Sequence, residues 1–175
     1  RDLNVRSRRQ RQMCIRDSQK YMPEALLIFA PYSNSYRRFL SYWSSPVNLE
    51  WATDNRSVGL RVPDCEPQNR RVENRLAGSD VNPYLVLAAT LACGYMGIEE
   101  RIEPRKAIEG SAYDLPFSLH RHMYASIDAF SQSRAMRKMF GDSFVDMYSG
   151  IKQKEHEKFQ EIITPWEREV LMLNV

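Results

Sequence analysis

The stretch PVNLEWATDNRSVGLRVP, residues 46–63, decides the fold of this 175-residue chain, because it holds two runs in which apolar and polar residues alternate. In the first, Val47, Leu49 and Trp51 alternate with Asn48 and Glu50; in the second, Val58, Leu60 and Val62 alternate with Gly59 and Arg61. A period of two sends one set to a buried face and the other toward solvent, as in a half-buried strand. Strands are therefore expected over 47–53 and 57–63. Asp54-Asn55 between them tolerates tight backbone geometry, so the two runs read as an antiparallel hairpin. A third strand is expected over 70–77, where the same period sets Arg71, Glu73 and Arg75 on one face and Val72, Asn74 and Leu76 on the other.

On the amino-terminal side, Tyr21, Ala25, Leu26 and Ile28 suit a short helix closed by Pro31, followed by a polar loop around 33–36. Beyond Gly78 the pattern is helical. Ser79 or Asp80 can cap a helix with Pro83 in its first turn, and 84–95 is apolar on nearly every side, as in a helix buried all round. After a charged connection over 99–113, amphipathic helices are expected over 118–130, 134–140 and 143–163. Thr164-Pro165 opens a last short helix through 166–173, expected to pack back onto the body. The class is α+β, antiparallel strands covered by carboxy-terminal helices.

With 43% hydrophobic and 11% aromatic residues, the chain has enough apolar material for a core. Its net charge of +3 is uneven: residues 1–20 hold six arginines and Lys20 against Asp2 and Asp17, so the remaining body is slightly acidic. Residues 1–17, without helical or strand periodicity, form a basic leader expected not to pack. Cys14, Cys65 and Cys93 are odd in number, widely spaced and lack a C-x-x-C pair. That argues against a disulfide framework or zinc site and for a reducing, cytoplasmic setting. The most apolar stretch, 84–98, falls short of the ~20 residues that span a bilayer. No apolar signal-peptide core follows the leader, so no membrane partner is expected.

Arg38, Arg56, Arg61, Arg71 and Arg75 lie on or beside the strands with Glu73 among them. Arginine holds carboxylate or phosphate by paired hydrogen bonds and stays charged when half-buried, so several on one face would cradle a polyanion. Glu73 could then ligate a hard divalent metal. The plainer reading of the same pattern is a solvated face or cross-strand ion pairs. His120, His122 and His156 read as surface residues, and Tyr84, Tyr95, Met96 and Trp166 as core.

Four strings in order, NSYRRF (34–39), PVNLEWATDNRSVGLRVP (46–63), RRVENRL (70–76) and VNPYLVLAA (81–89), resemble the latter half of the glutamine synthetase catalytic domain. The ending PWEREVLMLNV (165–175) looks like that of the γ-glutamylamine-forming branch, including γ-glutamylpolyamine synthetases, and the resemblance covers about residues 19–175. It implies that the strands belong to a larger curved antiparallel sheet. It also implies an ATP-dependent ligase that joins the γ-carboxylate of glutamate to an amine through γ-glutamyl phosphate, with Mg2+ or Mn2+. By the same resemblance Arg38 and Arg75 bind glutamate, Arg56 contacts the reacting phosphate and acyl group as both catalytic and ATP-binding residue, Arg61 holds ATP phosphates, and Glu73 ligates the metal. A homo-oligomeric ring is implied as well.

Two departures bear on the substrate. Ammonia-using members carry a flap glutamate six residues after the position of Arg38, where this chain has Ser44. That favours a larger amine nucleophile over ammonia. A lysine found shortly before the metal glutamate in some members is missing, with Gln68, Asn69 and Arg70 in its region. The family's β-grasp domain and early metal carboxylates have no counterpart in residues 1–17, so the chain reads as a fragment, inactive alone, comprising the catalytic-domain part at 18–175 and the leader. RSRRQRQMCIRDS (6–18) looks like adaptor sequence joined in frame. The alternatives are an ammonia-using glutamine synthetase, an inactive structural homologue and, from another class, nucleic-acid binding through the leader arginines. Retention of all five site residues argues against the inactive homologue. A leader without interleaved aromatics on an acidic body argues against nucleic acid.

Overall fold

The alternating runs form strands shorter than their patterns. The computed structural model describes residues 15, 19–39, 45–66, 69, 71–100 and 105–172. In it β1 (Trp51–Thr53), β2 (Leu60–Val62) and β3 (Glu73–Asn74) make one sheet in that order. Val47 and Leu49 are buried as their alternation requires, but Val47 O accepts from Ser118 N at 3.0 Å instead of from a neighbouring strand. The helix expected from 118 begins at Met123.

β2 and β3 pair antiparallel, with Leu60 opposite Asn74 and Arg61 opposite Glu73. β1 and β2 pair parallel, with Trp51 opposite Leu60 and Thr53 opposite Val62. The expected hairpin between them does not form, and the connection explains why. Asp54 adopts φ of 52°, Asn55 Oδ1 accepts from Ser57 N at 2.9 Å and Ser57 Oγ at 2.6 Å, and Val58 is fully buried. The chain thus doubles back to the start of β1, where Leu60 N bonds Glu50 O at 3.2 Å. Parallel strands of ordinary length need a crossover of about a dozen residues. Strands of three residues span only ~10 Å, which residues 54–59 can retrace. A Cβ at Gly59 would lie 2.5 Å from Asn48 O, so the close approach requires glycine.

One sheet face sends Leu60, with Leu49 and Leu76 from its flanks, into the main core. There they meet α1 (Leu26–Phe29), whose four side chains are all buried. The other face carries Ala52 in a small cluster with Val58 and Ala112. Helices α2 (Pro83–Glu100), α3 (Met123–Gln132), α4 (Arg134–Phe140) and α5 (Asp142–Gln160) complete the core, α3 packing on α5 and α1, and α4 on α5. Gly141, at φ of 82°, makes the turn from α4 into α5.

Several expectations need correction. Asn82, not Ser79 or Asp80, caps α2, accepting from Tyr84 N at 3.0 Å and Leu85 N at 3.3 Å. α2 is buried on one side only. Ala89, Cys93 and Met96 face the core, whereas Tyr84, Leu87, Leu91, Tyr95 and Ile98 form an exposed stripe at three- and four-residue spacing. Among the described residues no element covers that side. Residues 33–38 form a 3₁₀ helix with Ser35 and Tyr36 buried, in place of a polar loop. Trp166 is exposed, and the π-helical turn Glu167–Leu171 buries no residue, so the last helix does not pack back onto the described body. The leader lies outside the described residues except for Ile15, which is buried because a branched aliphatic side chain gains from the core whatever its polar neighbours do. Among the described residues no helix is long and apolar enough to cross a membrane.

Gly59→Ala should destabilise the chain by about 1–3 kcal/mol, the cost of overpacking against backbone. Gly94→Ala, in α2 with nothing within 4 Å of the added carbon, should be neutral or stabilising. Urea unfolding midpoints of the two variants check this, and equal midpoints would contradict the close approach at Gly59.

Candidate active site

The register of β2 and β3 places Arg61 directly opposite Glu73, on the sheet face turned from the main core. Arg61 Nη1 donates to Glu73 Oε2 at 2.8 Å and Nη2 to Asp54 Oδ1 at 2.5 Å. Arg71 Nη2 takes the other oxygen of Glu73 at 2.8 Å. Burial pushes the Glu73 carboxyl up, but the hydrogen bonds from Arg61 and Arg71 outweigh it and hold the group below the usual carboxylate range. The Asp54 carboxyl is likewise held low, first by its bond from Arg61. The charge-pair reading of this face is therefore correct for Arg61, Arg71 and Glu73.

Arg56 sits in the 54–59 connection between two anchored neighbours. Asn55 Nδ2 donates to Gly110 O at 2.6 Å, and Ser57 Oγ accepts from Ala112 N at 2.8 Å. Arg75 Nη1 reaches the carbonyls of Arg56 and, at 3.1 Å, Val58, pinning the loop from the strand side. Burial lowers the Arg75 pKa, with repulsion from Arg61 and Arg56 adding to it and Tyr113 and Glu73 opposing it. Arg56, Arg61 and Arg75 thus share one electrostatic neighbourhood. The Arg56 side chain is exposed while its backbone is fixed.

Arg38 stands apart. It ends the 3₁₀ helix beside Gly78, where an added Cβ would lie 3.2 Å from Arg38 Nε. Burial lowers its pKa and Asp80 opposes that shift. Its buried Nε and Nη2 donate to no acceptor among the described residues. Asp80 accepts from Ser35 Oγ at 2.5 Å, which ties the helix carrying Arg38 to the segment after β3. A half-buried guanidinium with spare donors is suited to a carboxylate.

Among the described residues no three His, Cys, Asp or Glu side chains converge as a metal site. Glu73 and Asp54 are the carboxylates that meet Arg61. That fits magnesium or manganese, which take one or two carboxylates and complete their shell with phosphate oxygens and water. Ser44, Gln68 and Arg70 lie outside the described residues. His122 is exposed, while His120 and His156 are half-buried; burial lowers the pKa of His120. Asp54 and Asp80 are the charged neighbours of Arg61 and Arg38 that pattern reading missed. Asp54 was legible as a turn residue, but nothing in its spacing says that it meets Arg61.

The family described as glutamine synthetase, catalytic domain, matches residues 13–171. The chain is 34% identical over 156 residues to γ-glutamylputrescine synthetase PuuA of Escherichia coli (strain K12), covering 87% of this chain and 33% of that protein. It is 36% identical over 148 residues to glutamate–isopropylamine ligase of a Pseudomonas species, covering 82% of this chain and 32% of that protein. The chain therefore spans about a third of the length of these relatives. The solved GmaS/ADP complex shares its fold with a TM-score of 0.82 at 23% identity, over 93% of this chain and 39% of that one.

The depressed Glu73 pKa has a stability consequence whose sign is fixed. A carboxyl held below its unfolded value contributes stability above the ordinary glutamate pKa of ~4.3, and the contribution disappears as pH falls through the lowered value. Glu73→Gln should flatten the loss of stability below about pH 4.3 relative to the unsubstituted chain. Urea midpoints measured down the acid range check this; parallel curves would mean that the arginines do not act on Glu73.

Proposed function

The chain belongs to the glutamine synthetase catalytic-domain family, and from that premise we propose that it is the carboxy-terminal part of an ATP-dependent ligase joining the γ-carboxylate of glutamate to an amine. In this reading residues 18–175 are the catalytic part and 1–17 a basic leader whose Ile15 enters the core. The observation that carries the proposal is the arginine-framed carboxylate, with Arg61 and Glu73 in register and Arg56 pinned beside them.

The reaction runs in two steps. The γ-carboxylate of glutamate attacks the γ-phosphorus of ATP, forming γ-glutamyl phosphate and releasing ADP. The amine then attacks the acyl carbon and phosphate leaves. Negative charge spreads over phosphoryl oxygens in the first step, so catalysis rests on fixed positive groups aimed at them. Arg61 and Arg56 supply those groups, Arg56 also meeting the reacting acyl phosphate. Arg75 and Arg38 hold glutamate, Arg38 with its uncommitted Nε and Nη2. Glu73 would hold Mg2+ or Mn2+, which when bound offsets phosphate charge. Asp54, bonded to Arg61 independently of Glu73, would keep Arg61 in place with a cation bound.

Similarity to two amine ligases, together with Ser44 at the flap position, supports an amine nucleophile over ammonia. Nucleic-acid binding through the leader gains no support from the similar proteins, which are glutamate–amine ligases and glutamine synthetases. A homo-oligomeric ring in the cytoplasm completes the proposal.

Phosphate release from Mg-ATP and glutamate, by the enzyme that carries this chain, should depend on putrescine, isopropylamine or ethanolamine. Release with ammonium alone would make it a glutamine synthetase. Arg56→Gln should lower turnover by about a hundredfold or more, as for loss of a group facing developing charge, at an unchanged unfolding midpoint. A matching loss of stability would assign Arg56 a structural role instead.

A further inference from the structure

A second concave site lies away from the strands, between the 33–38 helix, the loop before α3 and the end of α5. Its cavity of about 760 Å³ falls within the range of small-molecule sites. Arg37, Arg121, His122 and His156 line it together with Phe39 and Phe159, and no carboxylate is among the lining residues. Arg37 and Arg121 make no ion pair among the described residues; the Arg121 guanidinium carbon lies over the Phe117 ring, 4.1 Å from its centroid, a contact that does not neutralise its charge. Ser33 Oγ lies 3.0 Å from His156 Nδ1, so that nitrogen is engaged and Nε2 is the one left for a ligand.

Four other arginines are matched among the described residues: Arg61, Arg71, Arg105 and Arg137 all meet carboxylates. Unmatched cations gathered at an aromatic-walled cavity lower the free energy of an anion there, while the rings offer stacking to a planar body. Consecutive residues of a 3₁₀ helix point about 120° apart, so Arg37 faces this cavity while its neighbour Arg38 faces Gly78 and Asp80. From this arrangement we propose that the cavity is a binding site, separate from the ligase site, for a small anion carrying a planar ring, such as an aryl phosphate or aryl carboxylate.

Phenyl phosphate titrated into the full chain by calorimetry is the test, with inorganic phosphate and phenol as the half-ligands. Saturable binding of phenyl phosphate, tighter than either half, is expected. Arg37→Gln and Arg121→Gln, both at exposed positions whose folding circular dichroism verifies, should each weaken it about tenfold, the loss of one charge-assisted hydrogen bond. Arg61→Gln should leave it unchanged. The proposal is overturned if phenyl phosphate does not saturate. It is equally overturned if Arg61→Gln weakens binding and the two pocket variants do not, which would place the anion at the strand site.

Discussion

Arg61 and Glu73 face one another because Leu60 and Leu76 are buried. Side chains alternate along a strand, so committing Leu60 to the core sends Arg61 to the opposite face, and committing Leu76 fixes the phase of the segment that carries Glu73. A slip of one residue would send the arginine inward and separate the pair. Hydrophobic burial therefore sets the register, and the register sets the charge geometry. The pairs themselves are partly solvated and contribute little to stability. What they provide is placement: a carboxylate with both oxygens occupied, and a guanidinium held from two sides.

The 54–59 connection depends on that pairing and adds to it. It brings Asp54 onto Arg61 and hangs Arg56 between Asn55 and Ser57, each bonded to the 110–112 loop. Arg75 closes the arrangement from below by donating to the carbonyls of Arg56 and Val58. Arg56 and Arg61 both repel Arg75, while Tyr113 and Glu73 oppose that repulsion and Asp54 is bonded to Arg61. In the proposed reaction a polyanion would relieve that repulsion without reorganising the backbone, which is the condition for effective electrostatic catalysis.

Much of this was legible in the sequence, and the failures have identifiable causes. Period-two alternation found the strands and placed Glu73 on the same face as Arg71, because that rule depends only on backbone geometry. It could not tell parallel from antiparallel pairing of the first two runs. The left-handed Asp54 and the buried Val58 decide that, and both act through the loop. Composition made 84–95 look buried on every side, yet burial depends on what packs against a helix, and α2 meets neighbours on one side only. The site arginines were identified by resemblance to a family; spacing alone was equally consistent with a solvated face. Grouping Arg38 with the strand arginines overlooked the Ser35–Asp80 bond, which seats it beside Gly78 instead.

The central claim is that the Arg61–Glu73 face holds nucleotide phosphates and their cation. Titrating ADP with Mn2+ into the enzyme that carries this chain, and into its Glu73→Gln and Arg61→Gln variants, tests it most directly. The account predicts at least a tenfold loss of affinity in each variant, with Glu73→Gln losing the manganese dependence as well. Unchanged affinity and unchanged manganese dependence in both variants would contradict it.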